Sequence, residues 1–236
     1  MSVAQTVRIF IDNVDNGKLF TYDDIKSDKK SVIAIELSRL NKQGIVKRLS
    51  KGKYYKPKEG IFGKMVPSDG EVLKSYLSAP NTYITGLKAF NEMGLTTQVA
   101  NVITIATQKQ ARRVKVKNLN IQFVTIKQNI KKEDVYLLRV LDAIESMKNI
   151  PDATVDEVLI YVKKFMKKLS SNEVRKITQY ALKYRPKTKA ILAAILESLA
   201  YNKEAQKIQS TLNPLSSYKV DVSENVLPNK AQWKIV

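Results

Sequence analysis

Residues 37–57 read LSRLNKQGIVKRLSKGKYYKP. Apolar residues recur through the stretch as they do in a folded core. Yet positions 42–58 hold seven bases and no acid. The first half closes a helix, because Ile33, Leu37 and Leu40 fall at i, i+4 and i+7 on one face. Its N-cap is expected at Ser27 or Asp28, its end at Gln43 and its stop at Gly44. The second half reads as two short strands, 45–49 and 53–56, joined through Ser50, Lys51 and Gly52 and ended by Pro57. Upstream, Val3, Val7, Phe10, Ile11 and Val14 predict a first helix over 3–14. Thr21 followed by Asp23 and Asp24 predicts the start of a short second helix. Three helices and then a basic hairpin make a winged helix-turn-helix. The apolar residues hold the last helix and the hairpin on a small core, and the bases line the side left open.

The wider composition agrees with a polyanionic partner. The chain has 236 residues and a formal charge of +19, which favours nucleic acid or an anionic surface. It has neither cysteine nor histidine. Disulfides, thiolate zinc sites and nucleophile–histidine dyads are therefore excluded. No acids cluster at metal-ligand spacing, and no glycine-rich loop follows a strand to cradle phosphate. Neither an enzyme nor a cofactor is expected. With no signal-peptide core and no apolar run of spanning length, a soluble cytoplasmic protein without a membrane partner is expected.

The expected class is α+β, with a winged helix-turn-helix domain over 1–60 and a linker over 61–70, where Gly60, Gly63, Pro67 and Gly70 punctuate the chain. A second domain over 71–215 combines a small sheet with a bundle-like helical end. EVLKSYL and YITGLKAFNEMGL read as helices; NVITIAT, RRVKVK and IQFVTIK read as strands. From Glu133 onward, apolar stripes mark four helices. Residues 216–236 form a docked or loose tail, with Trp233 as its simplest anchor.

In the winged-helix reading the third helix enters the groove and the hairpin meets the flanking backbone. Lys29 and Lys30 stand at the helix start. Ser31, Ser38, Arg39 and Lys42 offer polar contacts, and Ile35 a surface for a thymine methyl. Lys47, Arg48, Lys51 and Lys53 meet phosphate, which positions the protein without reading sequence. The alternative is an adaptor whose winged helix binds RNA or protein instead of operator DNA. A second basic stretch lies between Glu92 and Glu133, where no acid occurs. There Val114 and Val116 face one way and Arg113, Lys115 and Lys117 the other, with Arg112 beside them. This is either a second nucleic-acid surface or the solvated outer face of a half-buried sheet, and alternation alone accounts for the pattern. The Thr96-Thr97-Gln98 run is read as a helix-to-strand turn with hydroxyl bonds to backbone, the alternative being a polar site at a helix end.

Three stretches resemble the AbiEi-type antitoxins of type IV toxin–antitoxin (abortive infection) systems. They are LSRLNKQGIVKRLSKGKYYKP, YITGLKAFNEMGLTTQVANVITIAT, and LLRVLDAIESMKNIPDATVDEVL together with ALKYRPKTKAILAAILE. The resemblance spans roughly residues 1–200. It departs from the family pattern at Ala100, where a proline usually follows TTQV. The resemblance implies an autorepressor that binds inverted repeats in its own promoter as double-stranded DNA. It also implies an antitoxin that counters a nucleotidyltransferase toxin, part of phage defence, without requiring a direct complex. It gives the basic face of Arg112, Arg113, Lys115 and Lys117 a role in DNA binding and antitoxicity.

Overall fold

The structure is a computed structural model and describes residues 2–60 and 63–236. The chain is α+β and divides into two compact units, residues 1–80 with 114–119, and residues 81–113 with 120–236.

The first unit opens with α1 (Val3–Asn13), whose first turn is held by a reciprocal cap between Ser2 and Gln5. Next come β1 (Leu19–Thr21), α2 (Lys30–Lys42), β2 (Lys47–Ser50) and β3 (Lys53–Tyr55). The strands form an antiparallel sheet in the order β1-β3-β2. This is winged-helix connectivity, with β2 and β3 as the wing. Val7, Ile11, Phe20, Ile33, Leu37, Leu40, Val46 and Tyr54 form its core, so the i, i+4, i+7 stripe of α2 packs as expected.

Four details differ from the sequence-based expectation. The second helix is a single 3-10 turn at Tyr22–Asp24. The Asp24 carboxylate accepts from the Thr21 N–H and hydroxyl at 2.6 and 2.9 Å, but only Ile25 follows as an apolar anchor before Ser27 and Asp28. Secondly, α2 begins at Lys30 with Lys29 in the cap position and no side-chain cap bond, so neither Ser27 nor Asp28 caps it. Thirdly, a small hairpin, β4 (Lys58–Gly60) with β5 (Gly63–Met65), runs from the end of the expected first domain into the expected linker; Ile61 and Phe62 of that linker lie outside the described residues. Finally, α3 (Asp69–Leu77), capped reciprocally by Ser68 and Glu71, belongs to the first unit, and the division falls after Pro80. The reason is packing: the Tyr76 hydroxyl lies 3.2 Å from Ser50 Oγ, and Lys53 reaches the backbone carbonyl of Ser75.

The second unit contains β6 (Tyr83–Thr85), α4 (Gly86–Glu92), β7 (Ile103–Thr107) and all of β9 (Leu119–Thr125) but its first residue; β8 (Arg112–Val116) falls mostly in the first unit, and the sheet order is β6-β7-β9-β8. β6 and β7 are antiparallel, and β7 and β9 are parallel. YIT is therefore a strand and not the first turn of a helix; Gly86, at φ +68°, makes the break in a conformation that suits glycine. The helical end comprises α5 (Val135–Ser146), α6 (Val155–Met166), α7 (Ser171–Ala181), α8 (Pro186–Ser198) and α9 (Asn202–Gln209). Sequence patterning finds α5 to α8. It misses α9, whose only buried residues are Ala205 and Ile208. The tail is docked: Tyr218, Val220, Leu227 and Ile235 join the core, and the Trp233 indole N–H donates to Glu197 at 2.8 Å.

Among the described residues, no helix is long and apolar enough to cross a membrane.

Candidate nucleic-acid interface

Burying Ile33, Leu37 and Leu40 turns the other side of α2 outward. Ser31, Ile35, Ser38 and Lys42 form one exposed stripe along it, with Ile35 at 55% exposure despite its apolar side chain. Beside the stripe lies the wing. Asn41 Oδ1 accepts the Arg48 N–H at 3.0 Å, tying the last turn of α2 to β2. A bulge between Arg48 and Ser50 breaks the register of β2 on β3, and Lys47 and Arg48 are both exposed as consecutive residues. Lys51, also exposed, sits at the wing tip before Gly52, whose φ is +74°.

Two of the expected contact residues, Lys30 and Lys53, are committed elsewhere, and a third, Arg39, is engaged only in part. Lys30 pairs with Asp23 at 2.5 Å, and that hydrogen bond with its charge attraction raises the Lys30 pKa. The Lys53 ammonium donates to the Ser75 carbonyl and hydroxyl and lies 4.2 Å over the Tyr76 ring; it is turned toward α3 and fixes that helix on the wing. Arg39 stands at the flank of the stripe, with Nη1 3.5 Å from Glu36. Lys29 is exposed at the start of α2. Glu36 itself is 2% exposed and also accepts from Arg8 Nε of α1 at 2.9 Å. Neither Glu36 nor Arg8 is legible as a contact in the sequence, because an acid at a core position runs against the polarity pattern.

The second basic stretch is less uniform than its alternation predicts. Arg113 and Lys115 are exposed. The Arg112 guanidinium lies 3.9 Å over the Phe123 ring. Lys117 is in the turn after β8 at φ +52°, donates to the Pro67 carbonyl at 2.7 Å and lies 3.4 Å from Asp69. It does not share an outward face with Arg113 and Lys115, because the strand ends at Val116.

Thr96 makes the expected bond to backbone, its Oγ1 accepting the Gln98 N–H at 3.1 Å; Thr97 does not, since its hydroxyl donates to the Asp152 carboxylate at 3.2 Å, 55 residues on.

A further polar cluster lies in the second unit. Asp142 of α5 accepts hydroxyl bonds from Tyr83 at 2.9 Å, Thr85 at 2.5 Å and Tyr184 at 2.7 Å. One turn on, Glu145 pairs with Arg185 at 3.1 Å and accepts from Thr188. Together they line a cleft of about 420 Å³ whose rim includes Lys127 and Lys183. Burial raises the Asp142 pKa above the ordinary carboxylate range, against the lowering effect of its three hydroxyl donors.

Residues 7–177 match the family of unknown function DUF6088. The chain belongs to the DUF6088 family. No curated protein matches it. Among solved structures, the RV2827C protein from Mycobacterium tuberculosis is similar at a TM-score of 0.46 and 12% identity, over 92% of this chain and 83% of that one. The DUF6088 match begins in α1 and ends in α7. It therefore takes in Arg8, Glu36, the α2 stripe, the wing and Asp142, and it stops before Tyr184 and Arg185. The Asp142 cluster escaped sequence reasoning because its partners are 57, 59 and 42 residues away. YITG, LLRVLDAI and ALKYRP all contribute to it.

Proposed function

We propose that this protein is a cytoplasmic, non-enzymatic regulator that binds duplex DNA through α2 and the wing. One observation carries the reading: the exposed stripe of Ser31, Ile35, Ser38 and Lys42 lies beside a wing bearing Lys47, Arg48 and Lys51, with Asn41 joining the two. Such a ridge offers side chains to base edges while the wing bases meet phosphate. The mixture of a methyl-rich side chain, hydroxyls and a lysine suits a major groove. The resemblance extends the proposal to autorepression at inverted repeats in the protein's own promoter and to antitoxicity against a nucleotidyltransferase toxin without a stable complex.

The test is a gel-shift titration on the protein's own upstream region at several salt concentrations. Lys29, Lys42, Lys47, Arg48 and Lys51 offer about five phosphate contacts, so from these alone log affinity against log salt should fall with a slope of about −4 to −5, and each further contact steepens it by about 0.9. A slope near zero overturns the DNA reading. Growth rescue upon co-expression with a neighbouring nucleotidyltransferase tests the antitoxin part, and absence of rescue removes it.

A further inference from the structure

The partners of Glu36 extend the interface to α1. At about 100° per residue, Asn41 and Arg39 lie on opposite flanks of the stripe formed by Ser31, Ile35, Ser38 and Lys42. The Asn41 flank carries the wing. The Arg39 flank faces α1, which packs against α2. There the Glu36 carboxylate, buried at 2% exposure, takes Arg8 on one oxygen at 2.9 Å and Arg39 on the other at 3.5 Å. A buried carboxylate is costly without such partners. Both arginines keep most of their side-chain surface in solvent, 61% for Arg8 and 69% for Arg39. A guanidinium has five N–H donors, so each retains donors directed away from Glu36. Two cations are thus held side by side around one anion, beside a ridge whose other flank is also basic.

We infer that Arg8 and Arg39 form a phosphate clamp for the second DNA strand, with Glu36 as the positioning residue that holds them. The wing takes one backbone, the clamp takes the other, and the α2 ridge lies between them in the groove. Arg39 then contributes position and not base preference, and α1 becomes part of the interface. This inference rests on the DNA-binding proposal and adds to it a residue, Arg8, and a division of labour.

Fluorescence anisotropy with the full-length chain tests it, using a duplex from the upstream region and a random-sequence duplex of equal length. Arg8→Ala should weaken binding to both duplexes by the same factor and make the salt slope shallower by about 0.9, the value of one phosphate contact. Arg8→Lys should restore most of that slope. Glu36→Gln raises the net charge by one, so attraction at long range alone would tighten binding; the positioning role instead predicts weaker binding to both duplexes. Circular dichroism checks that each variant is folded, and Arg39→Ala, at an exposed position, supplies the same readout if Glu36→Gln is not. Wild-type slope and affinity in both Arg8→Ala and Arg39→Ala would overturn the clamp while leaving the DNA proposal standing. A wild-type chain that binds neither duplex overturns both.

Discussion

Asn41 accepts the backbone N–H of Arg48 at 3.0 Å, and this bond sets the wing against the end of α2. β2 is an edge strand of its sheet, and the Arg48 N–H finds its partner in Asn41, outside the ladder. Asn41→Ala removes that partner. The loss should cost about 0.5–1.5 kcal/mol of stability and loosen the wing, lowering duplex affinity by about two- to tenfold. Thermal melts and anisotropy report the two effects separately. Unchanged affinity in a destabilised variant would mean that the wing is held by other contacts.

Ridge and wing should separate in their dependence on sequence. Lys51 is exposed at the wing tip, where the proposed interface has it meet phosphate. Lys51→Glu should weaken every duplex alike and flatten the salt slope. Ser38 lies in the middle of the stripe. If its hydroxyl meets a base edge, Ser38→Ala should leave random-sequence affinity intact and remove about 1–3 kcal/mol of preference for the operator. Equal losses on operator and random duplexes for Ser38→Ala would move that residue off the base edges.

What could be read beforehand, and what could not, follows from the range of the interactions. The α2 core face was legible because Ile33, Leu37 and Leu40 repeat within one element. The wing was legible because Gly52 separates two short basic and β-favouring runs. The second helix was over-read, since Asp23 and Asp24 give a start signal without an apolar stripe behind it. The charges of Lys53 and Lys117 suit an open face, but their partners Ser75, Tyr76, Pro67 and Asp69 come from other elements. Glu36 and Asp142 are the clearest losses. A buried acid looks like surface until the donors that satisfy it are located, and those that come from other elements are 28 and up to 59 residues away.

Asp142 links α5 to β6 and to the turn before α8 through three hydroxyls. Asp142→Ala leaves the hydroxyls of Tyr83, Thr85 and Tyr184 without this acceptor. Tyr184 keeps a second acceptor in the Leu138 carbonyl at 3.5 Å, so at about 1–3 kcal/mol for each buried group left unsatisfied the variant should lose at least about 2 kcal/mol, read from its urea midpoint. Asp142→Asn keeps the shape and one acceptor oxygen and should lose much less. The pH dependence has a definite sign. Burial raises the folded-state pKa above the ordinary value of 3.8, so the contribution of Asp142 is full below that value and declines as pH rises through the folded pKa. Asp142→Asn should therefore gain on wild type as pH rises from acid to neutral. A gap that moves the other way would show that the hydroxyl bonds outweigh burial.

Glu173 should behave in the opposite sense. It is the third residue of α7, and Ser170 caps that helix reciprocally: the Ser170 N–H and hydroxyl donate to its carboxylate at 2.8 and 2.5 Å. Tyr136 of α5 donates to the other oxygen. The Ser170 hydroxyl, the Tyr136 hydroxyl and then the Ser170 backbone hold the carboxyl down to about 2, from an ordinary value of 4.5. The stabilisation is thus fully present above pH 4.5 and lost as pH falls toward about 2. Wild type should melt above Glu173→Gln at neutral pH, and the difference should close across that acid window. Tyr136→Phe removes one of the donors, so its folded-state pKa should lie higher and the closing should finish at higher pH. Melting curves taken in parallel for the three proteins decide the matter. A difference between wild type and Glu173→Gln that persists undiminished below pH 2 would assign the effect of the substitution to packing, and not to the charge at the start of α7.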